Sequence, residues 1–99
     1  ELINEMITLF FKVTNEAIIN IKKSIKDKNL EHLKKVVHKC KAPLHQLKIV
    51  STYQSISFIE KFKGSTITND IIIESQNIIS NIEKVRTELT NAGFRNNTE

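Results

Sequence analysis

Hydrophobic residues recur with the period of an α-helix along most of the chain. In four segments they alternate in steps of three and four, as expected when one side of a helix packs against a core. The predicted helices run from about Leu2 to Lys26, from Leu30 to about Leu47, from about Thr52 to Phe62, and from about Thr68 to Asn91. Because short connections favour antiparallel neighbours, the pattern predicts an all-α fold, an antiparallel four-helix bundle with up-down-up-down order.

Polar residues mark where these helices begin and end. Asn29 is a good N-cap for the second helix, and Gly93 is suited to a left-handed stop after the fourth. The 99 residues suffice for a single core, so we assign 1–93 to one domain and 94–99 to a frayed polar tail. The predicted core includes Leu33, Val37, Leu44, Ile56, Ile59, Ile78 and Ile82.

On the second predicted helix, a polar stripe runs beside the apolar stripe that faces the core. It comprises Lys34, His38, Lys41, His45 and Lys48, each displaced by one position from the apolar stripe. Such a stripe lies at the edge of the packed face, so we expect His38 to be accessible to solvent while its neighbours Val37 and Cys40 are buried. A histidine with a lysine one turn away on either side is suited to act as a nucleophile toward an anionic group.

Pro43 lies inside the second predicted helix, one turn after His38. Proline removes the hydrogen bond to the carbonyl of Lys39 and crowds that turn, at a cost of about 3 kcal/mol. The residue before it, Ala42, is also pushed away from helical geometry. We therefore expect a kink or a short irregular turn at this point.

Composition and charge narrow the function classes only slightly. The net charge is +4 with a pI near 9.3, which favours acidic partners of any kind. The single Cys40 excludes an internal disulfide and a cysteine-rich zinc site, and it fits a reducing cytoplasm. No apolar run approaches the roughly 20 residues of a membrane span, so we expect a cytoplasmic domain without membrane contact. The start at Glu1 rather than Met is compatible with a domain of a longer chain.

Four stretches of the sequence resemble one known family. These are Met6–Phe11 with its phenylalanines, the polar turn and Leu-Glu-x-Leu of 28–33, the H-x-x-K core in Val37–Lys41, and the apolar-Glu pair in Phe58–Glu60. Together they are similar to the histidine-containing phosphotransfer (HPt) domain of bacterial phosphorelays, over about two-thirds of the chain. The fourth helix is similar only in being amphipathic.

The resemblance implies a role for each matching residue. His38 corresponds to the phosphoacceptor, and Lys41 to the lysine that offsets charge on the phosphoryl oxygens, with Lys39 and Lys34 as secondary help. Glu60 would orient the imidazole through its other nitrogen.

Two positions depart from the family pattern. Ala42, followed by Pro43, stands where the family commonly has a glycine that lets the partner approach. Residues around Lys48 replace a second frequent glycine. Alanine is still small, so docking is compatible with it.

The implied function is that of a phosphorelay carrier in two-component signal transduction. The domain would accept a phosphoryl group from a receiver-domain aspartate and pass it to another response regulator, downstream of a sensor or hybrid histidine kinase of which it could be a part. Phosphoryl transfer depends mainly on positioning and charge, and the Mg²⁺ it needs belongs to the receiver. The resemblance thus implies no metal or cofactor of the domain's own, and a carrier rather than a self-sufficient enzyme.

Other interpretations remain open from the sequence. His45, on the same stripe, is a rival acceptor, although an ordinary surface histidine is the more common case, and we expect His32 to be merely solvated. A basic bundle that binds nucleic acid predicts a continuous Lys/Arg stripe, whereas the basic residues here are scattered and interrupted by glutamates. A helical protein-interaction bundle, in which the phosphotransfer chemistry has lapsed, is the main alternative.

Overall fold

Helices account for all the regular structure in the part of the chain that is described. The computed structural model describes the backbone of residues 2–94 and the side chains of 4–94. It contains α1 (Leu2–Lys26), α2 (Leu30–Gln46), a 3₁₀ turn (Val50–Thr52), α3 (Tyr53–Lys61) and α4 (Asn69–Asn91). The all-α prediction is confirmed, and the predicted helix limits agree to within a residue or so. Apart from Phe94, the predicted tail at 94–99 lies outside the described residues.

The core forms along the apolar sides of all four α-helices. All seven residues predicted for it are buried, as are Phe10, Ile21 and Ile71. On α1 the buried side also includes Phe11 and the polar Thr14. Thr14 is accommodated because its hydroxyl donates a 2.6 Å hydrogen bond to the carbonyl of Phe10 in the preceding turn.

The helices pack in a cyclic order around this core. α1 lies against α2, α2 against α3, α3 against α4, and α4 returns to α1. The last of these contacts is strengthened by Arg86 of α4, which donates hydrogen bonds of 3.0 Å to the carbonyl of Phe11 and to the hydroxyl of Thr14. The pair α2–α3 therefore lies on the opposite side of the molecule from the pair α1–α4.

Hydrogen bonds at the helix ends explain where the chain turns. The Asn29 side chain accepts from the backbone N–H of His32, so the predicted N-cap is confirmed. α1, α2 and α4 each end in paired hydrogen bonds, to the carbonyls five and three residues earlier, around a left-handed residue. That residue is Gly93 after α4, as predicted, but Lys28 and Lys48 after α1 and α2, with φ of 55° and 54°. Left-handed geometry is costly for lysine.

Pro43 does not interrupt α2. The helix continues past it to Gln46, Pro43 itself is buried, and its carbonyl accepts from the N–H of Leu47. Of the two predicted outcomes, the short irregular turn is therefore wrong, whereas a kink within the continuous helix stays a prediction. Proline removes only one N–H, the donor to the carbonyl of Lys39, and burial of the Pro43 side chain offsets part of that cost.

Candidate functional site

His38 lies on the exposed edge of α2. Its side chain is 73% exposed, whereas Val37 and Cys40 are completely buried. Successive helical residues are rotated by about 100°, so burial of one stripe forces the next position toward solvent. The predicted contrast between His38 and its neighbours is confirmed.

Glu60 of α3 contacts the two α2 residues that the sequence singled out. One carboxylate oxygen, Oε2, lies 2.7 Å from Nδ1 of His38, and the other, Oε1, accepts a 3.0 Å hydrogen bond from Nζ of Lys41. Burial of Ile56 and Ile59 fixes the rotation of α3 and turns Glu60 toward α2. A single carboxylate of α3 therefore contacts both His38 and Lys41 of α2.

The electrostatics of this contact determine which histidine nitrogen is free. The hydrogen bond from His38, followed by that from Lys41, holds the pKa of Glu60 below its ordinary value, although burial works in the opposite direction. Glu60 is therefore ionised at neutral pH and can only accept hydrogen bonds. Nδ1 of His38 must carry the proton that it donates to Glu60. In a neutral ring this leaves the lone pair on Nε2 of a side chain that is 73% exposed as a whole.

Two further lysines line an open groove with His38 and Glu60. These are Lys34 and Lys35, one turn before the histidine. The ammonium of Lys34 donates to the backbone carbonyl of Phe62 at the end of α3, a neutral acceptor that holds the side chain in place and leaves its positive charge at the groove. It thereby ties the end of α3 to α2 close to Glu60. Lys35 is exposed and within 4.0 Å of Glu31, a weak surface pair.

The remaining predicted site residues lie at the edges of this arrangement. Lys39 lines a small pocket on the α1 side of α2, together with Val13 and Glu16, and is not part of the groove around His38. Its predicted help to the phosphoryl group has no geometric support. Ala42 is exposed one turn after His38, which is compatible with the approach of a partner.

The other two histidines have different surroundings. His45 stacks on Tyr53 with 4.1 Å between ring centroids, and Nδ1 of His32 lies 2.7 Å from the hydroxyl of Ser24. Their described hydrogen bonds and ion pairs include no carboxylate, in contrast to His38. Within the described residues, no three His, Cys, Asp or Glu side chains are grouped so that they could hold a metal ion.

Cys40 is a core residue and not a second nucleophile. It is fully buried, and burial raises the pKa of its thiol to about 12. Because the thiolate is the reactive form, the side chain is chemically inert at neutral pH. The sequence interpretation of Cys40 as a reduced core residue agrees with this position.

Comparisons with protein-family models, curated proteins and solved structures find no match to this chain. The geometry around His38 and the sequence motif are therefore the basis on which a function can be assigned. In the described part of the chain, no helix is both long enough and apolar enough to cross a bilayer.

Proposed function

We propose that this domain is a phosphorelay carrier that accepts a phosphoryl group on His38. One observation carries the proposal: an exposed histidine whose Nδ1 is held by an ionised carboxylate, with Lys41 bound to the same carboxylate. Such a ring is oriented, held in one tautomer and open to a partner on its nucleophilic nitrogen.

The chemistry follows from that tautomer. The Nε2 lone pair attacks the phosphorus of a receiver aspartyl phosphate, the P–O bond to the aspartate breaks, and the carboxylate leaves as an anion. Positive charge develops on the imidazole ring, and Glu60 lies 2.7 Å from Nδ1, where it stabilises that charge. A second receiver aspartate takes the phosphoryl group by the reverse step.

Lys41 is the cation that shares the Glu60 carboxylate with His38. It lies one turn after His38, and its side chain is 41% exposed, so it can exchange its contact with Glu60 for one with the phosphoryl oxygens. The domain would be a carrier rather than an enzyme, acting in the cytoplasm with response-regulator receivers and a sensor or hybrid histidine kinase. Mg²⁺ would be supplied by the receiver.

The antiparallel, up-down-up-down arrangement is part of this proposal. Contacts between α2 and α3 support it, because residues later in α2 meet residues earlier in α3. Lys34 contacts Phe62, His38 contacts Glu60, and His45 contacts Tyr53.

The test is phosphate uptake from a panel of receiver domains phosphorylated with acetyl phosphate in the presence of Mg²⁺. The wild type should acquire acid-labile, base-stable phosphate. His38→Gln should abolish uptake with a nearly unchanged thermal midpoint, because the side chain contributes little packing. Lys41→Ala should slow uptake about tenfold, equivalent to about 1.4 kcal/mol. The matched control, His45→Gln, should do neither.

The other outcomes point to different functions. If His45→Gln loses uptake and His38→Gln retains it, the acceptor histidine is wrongly assigned. If the wild type takes up phosphate from no receiver, a helical protein-interaction bundle with lapsed chemistry becomes the better interpretation.

A further inference from the structure

The outer face of α3 carries an exposed aromatic pair beside the candidate site. Phe58 is 40% exposed. No other large hydrophobic residue in the described parts of α2 and α3 is exposed. It stacks on Phe62, with 6.2 Å between ring centroids. A Cβ at Gly64 would lie 2.6 Å from the Phe62 ring, so glycine lets that ring lie close against the chain. The Phe62 ring therefore packs against both Phe58 and the chain at Gly64.

Positive charge surrounds this aromatic pair. Phe58 and Phe62 line an open groove with Lys61 and Lys63. The neighbouring groove contains His38 with Lys34 and Lys35, and the two grooves meet where Lys34 binds the Phe62 carbonyl. Together the grooves are lined by these four lysines and by one carboxylate, Glu60, which is already bound to His38 and Lys41.

A partner protein that forms an interface of ordinary size covers both grooves at once. A standard interface covers about 800 Å² on each side, which corresponds to a disc of about 16 Å radius. Packed helix axes are about 8–10 Å apart. A domain that docks on His38 of α2 therefore also covers the outer face of α3. Aromatic residues are frequent among those that contribute most to the free energy of binding.

We propose that Phe58, Phe62, Lys61 and Lys63 form the part of the docking surface that selects the receiver domain. The surface fits a partner face with an apolar residue bordered by carboxylates, which the acidic pocket around a phosphorylated aspartate provides. This inference rests on the proposed function. It adds that recognition of the protein partner is separable from the chemistry at His38, because Phe58 is not among the residues that contact the histidine.

The experiment compares two phosphate donors for each variant. Potassium phosphoramidate is a small donor that needs no docking, whereas a phosphorylated receiver domain must dock. Phe58→Ala should slow uptake from the receiver about tenfold and leave uptake from phosphoramidate unchanged. The double variant Lys61→Glu with Lys63→Glu should behave in the same way, and the difference from wild type should shrink as salt is raised. The matched control is Ile73→Ala, which truncates a residue of 58% exposure on α4.

Three results would overturn the inference. The first is equal receiver rates for Phe58→Ala and Ile73→Ala. The second is an equal loss with both donors, which would mean that the substitution damages the site itself. The third is salt-sensitive binding of single-stranded DNA that Phe58→Ala weakens, since this would assign the surface to nucleic acid. A wild type that accepts phosphate from no receiver removes the proposed function together with this surface, whereas the first two results leave His38 as the acceptor.

Discussion

Replacing Glu60 by glutamine removes a charge that touches both His38 and Lys41 while preserving the shape of the side chain. The carboxylate lies 2.7 Å from Nδ1 of His38 and 3.0 Å from the ammonium of Lys41. Glutamine can still accept one hydrogen bond from the ring, but it cannot stabilise positive charge that develops there. Glu60→Gln therefore separates the electrostatic contribution of Glu60 from its contribution to packing.

The expected magnitude follows from the exposure of the pair. Two unit charges about 4 Å apart interact by about 1 kcal/mol in water and about 4 kcal/mol near a protein surface. The His38 side chain is 73% exposed, which places the pair toward the watery limit. We expect a loss of about 1.4 kcal/mol in the transition state, or about tenfold in the rate of phosphate uptake. Glu60→Gln also releases Lys41, whose ammonium can then stabilise the phosphoryl group and raise the rate. Because Lys41 is partly exposed, this increase is smaller than the loss.

The assay is single-turnover phosphate uptake with both phosphoramidate and a phosphorylated receiver as donors. Glu60→Gln should be slower with both, because the missing charge acts on the ring and not on docking. Glu83→Gln, an exposed glutamate on α4, is the control for a general loss of negative charge. Equal rates for the two variants would refute the role of Glu60. Cooperative unfolding of Glu60→Gln in urea is the control that a slower rate does not come from misfolding.

Two further predictions concern stability. The lowered pKa of Glu60 means that its ionised form stabilises the fold above the unfolded pKa and that this contribution is lost as pH falls through the folded pKa. The difference in unfolding free energy between wild type and Glu60→Gln should therefore shrink on acidification below about pH 4.5, and an unchanged difference in urea titrations would contradict the assignment. Lys48→Gly should raise the free energy of unfolding by about 0.5–1 kcal/mol, because φ at Lys48 is 54° and glycine adopts that geometry without strain. The control Lys39→Gly, at an exposed interior position of α2, should lower the free energy of unfolding by about 1 kcal/mol. A Lys48→Gly protein that is no more stable than wild type would refute the proposed strain at Lys48.

The helices were predictable because their signals are local. The apolar period, the Asn29 cap and Gly93 each act within a few residues, and each is confirmed. The irregular turn expected at Pro43 does not form, because the loss of one N–H hydrogen bond is set against burial of the ring, which the local sequence does not reveal. The burial of Thr14 could not be inferred, since its partner Arg86 lies 72 residues away and no local pattern connects them.

In the candidate site too, the features set by local sequence were predictable and those set by distant contacts were not. Exposure of His38 follows from the two stripes on α2, and the Phe58–Glu60 motif pointed to Glu60. The position of Lys34 could not be predicted in the same way. Its contact is a backbone carbonyl 28 residues away, which the sequence does not distinguish from any other carbonyl. The lysine expected to help a phosphoryl group also holds α3 against α2, a contact that was not predicted.

The most direct test of the account is to identify the phosphorylated atom. Protein labelled with ¹⁵N and phosphorylated by a receiver domain can be examined by ¹H–¹⁵N and ³¹P NMR, which distinguish the two ring nitrogens of each histidine. The account predicts phosphate on Nε2 of His38, with Nδ1 still protonated toward Glu60. Phosphate on Nδ1 of His38, or on His32 or His45, would contradict it.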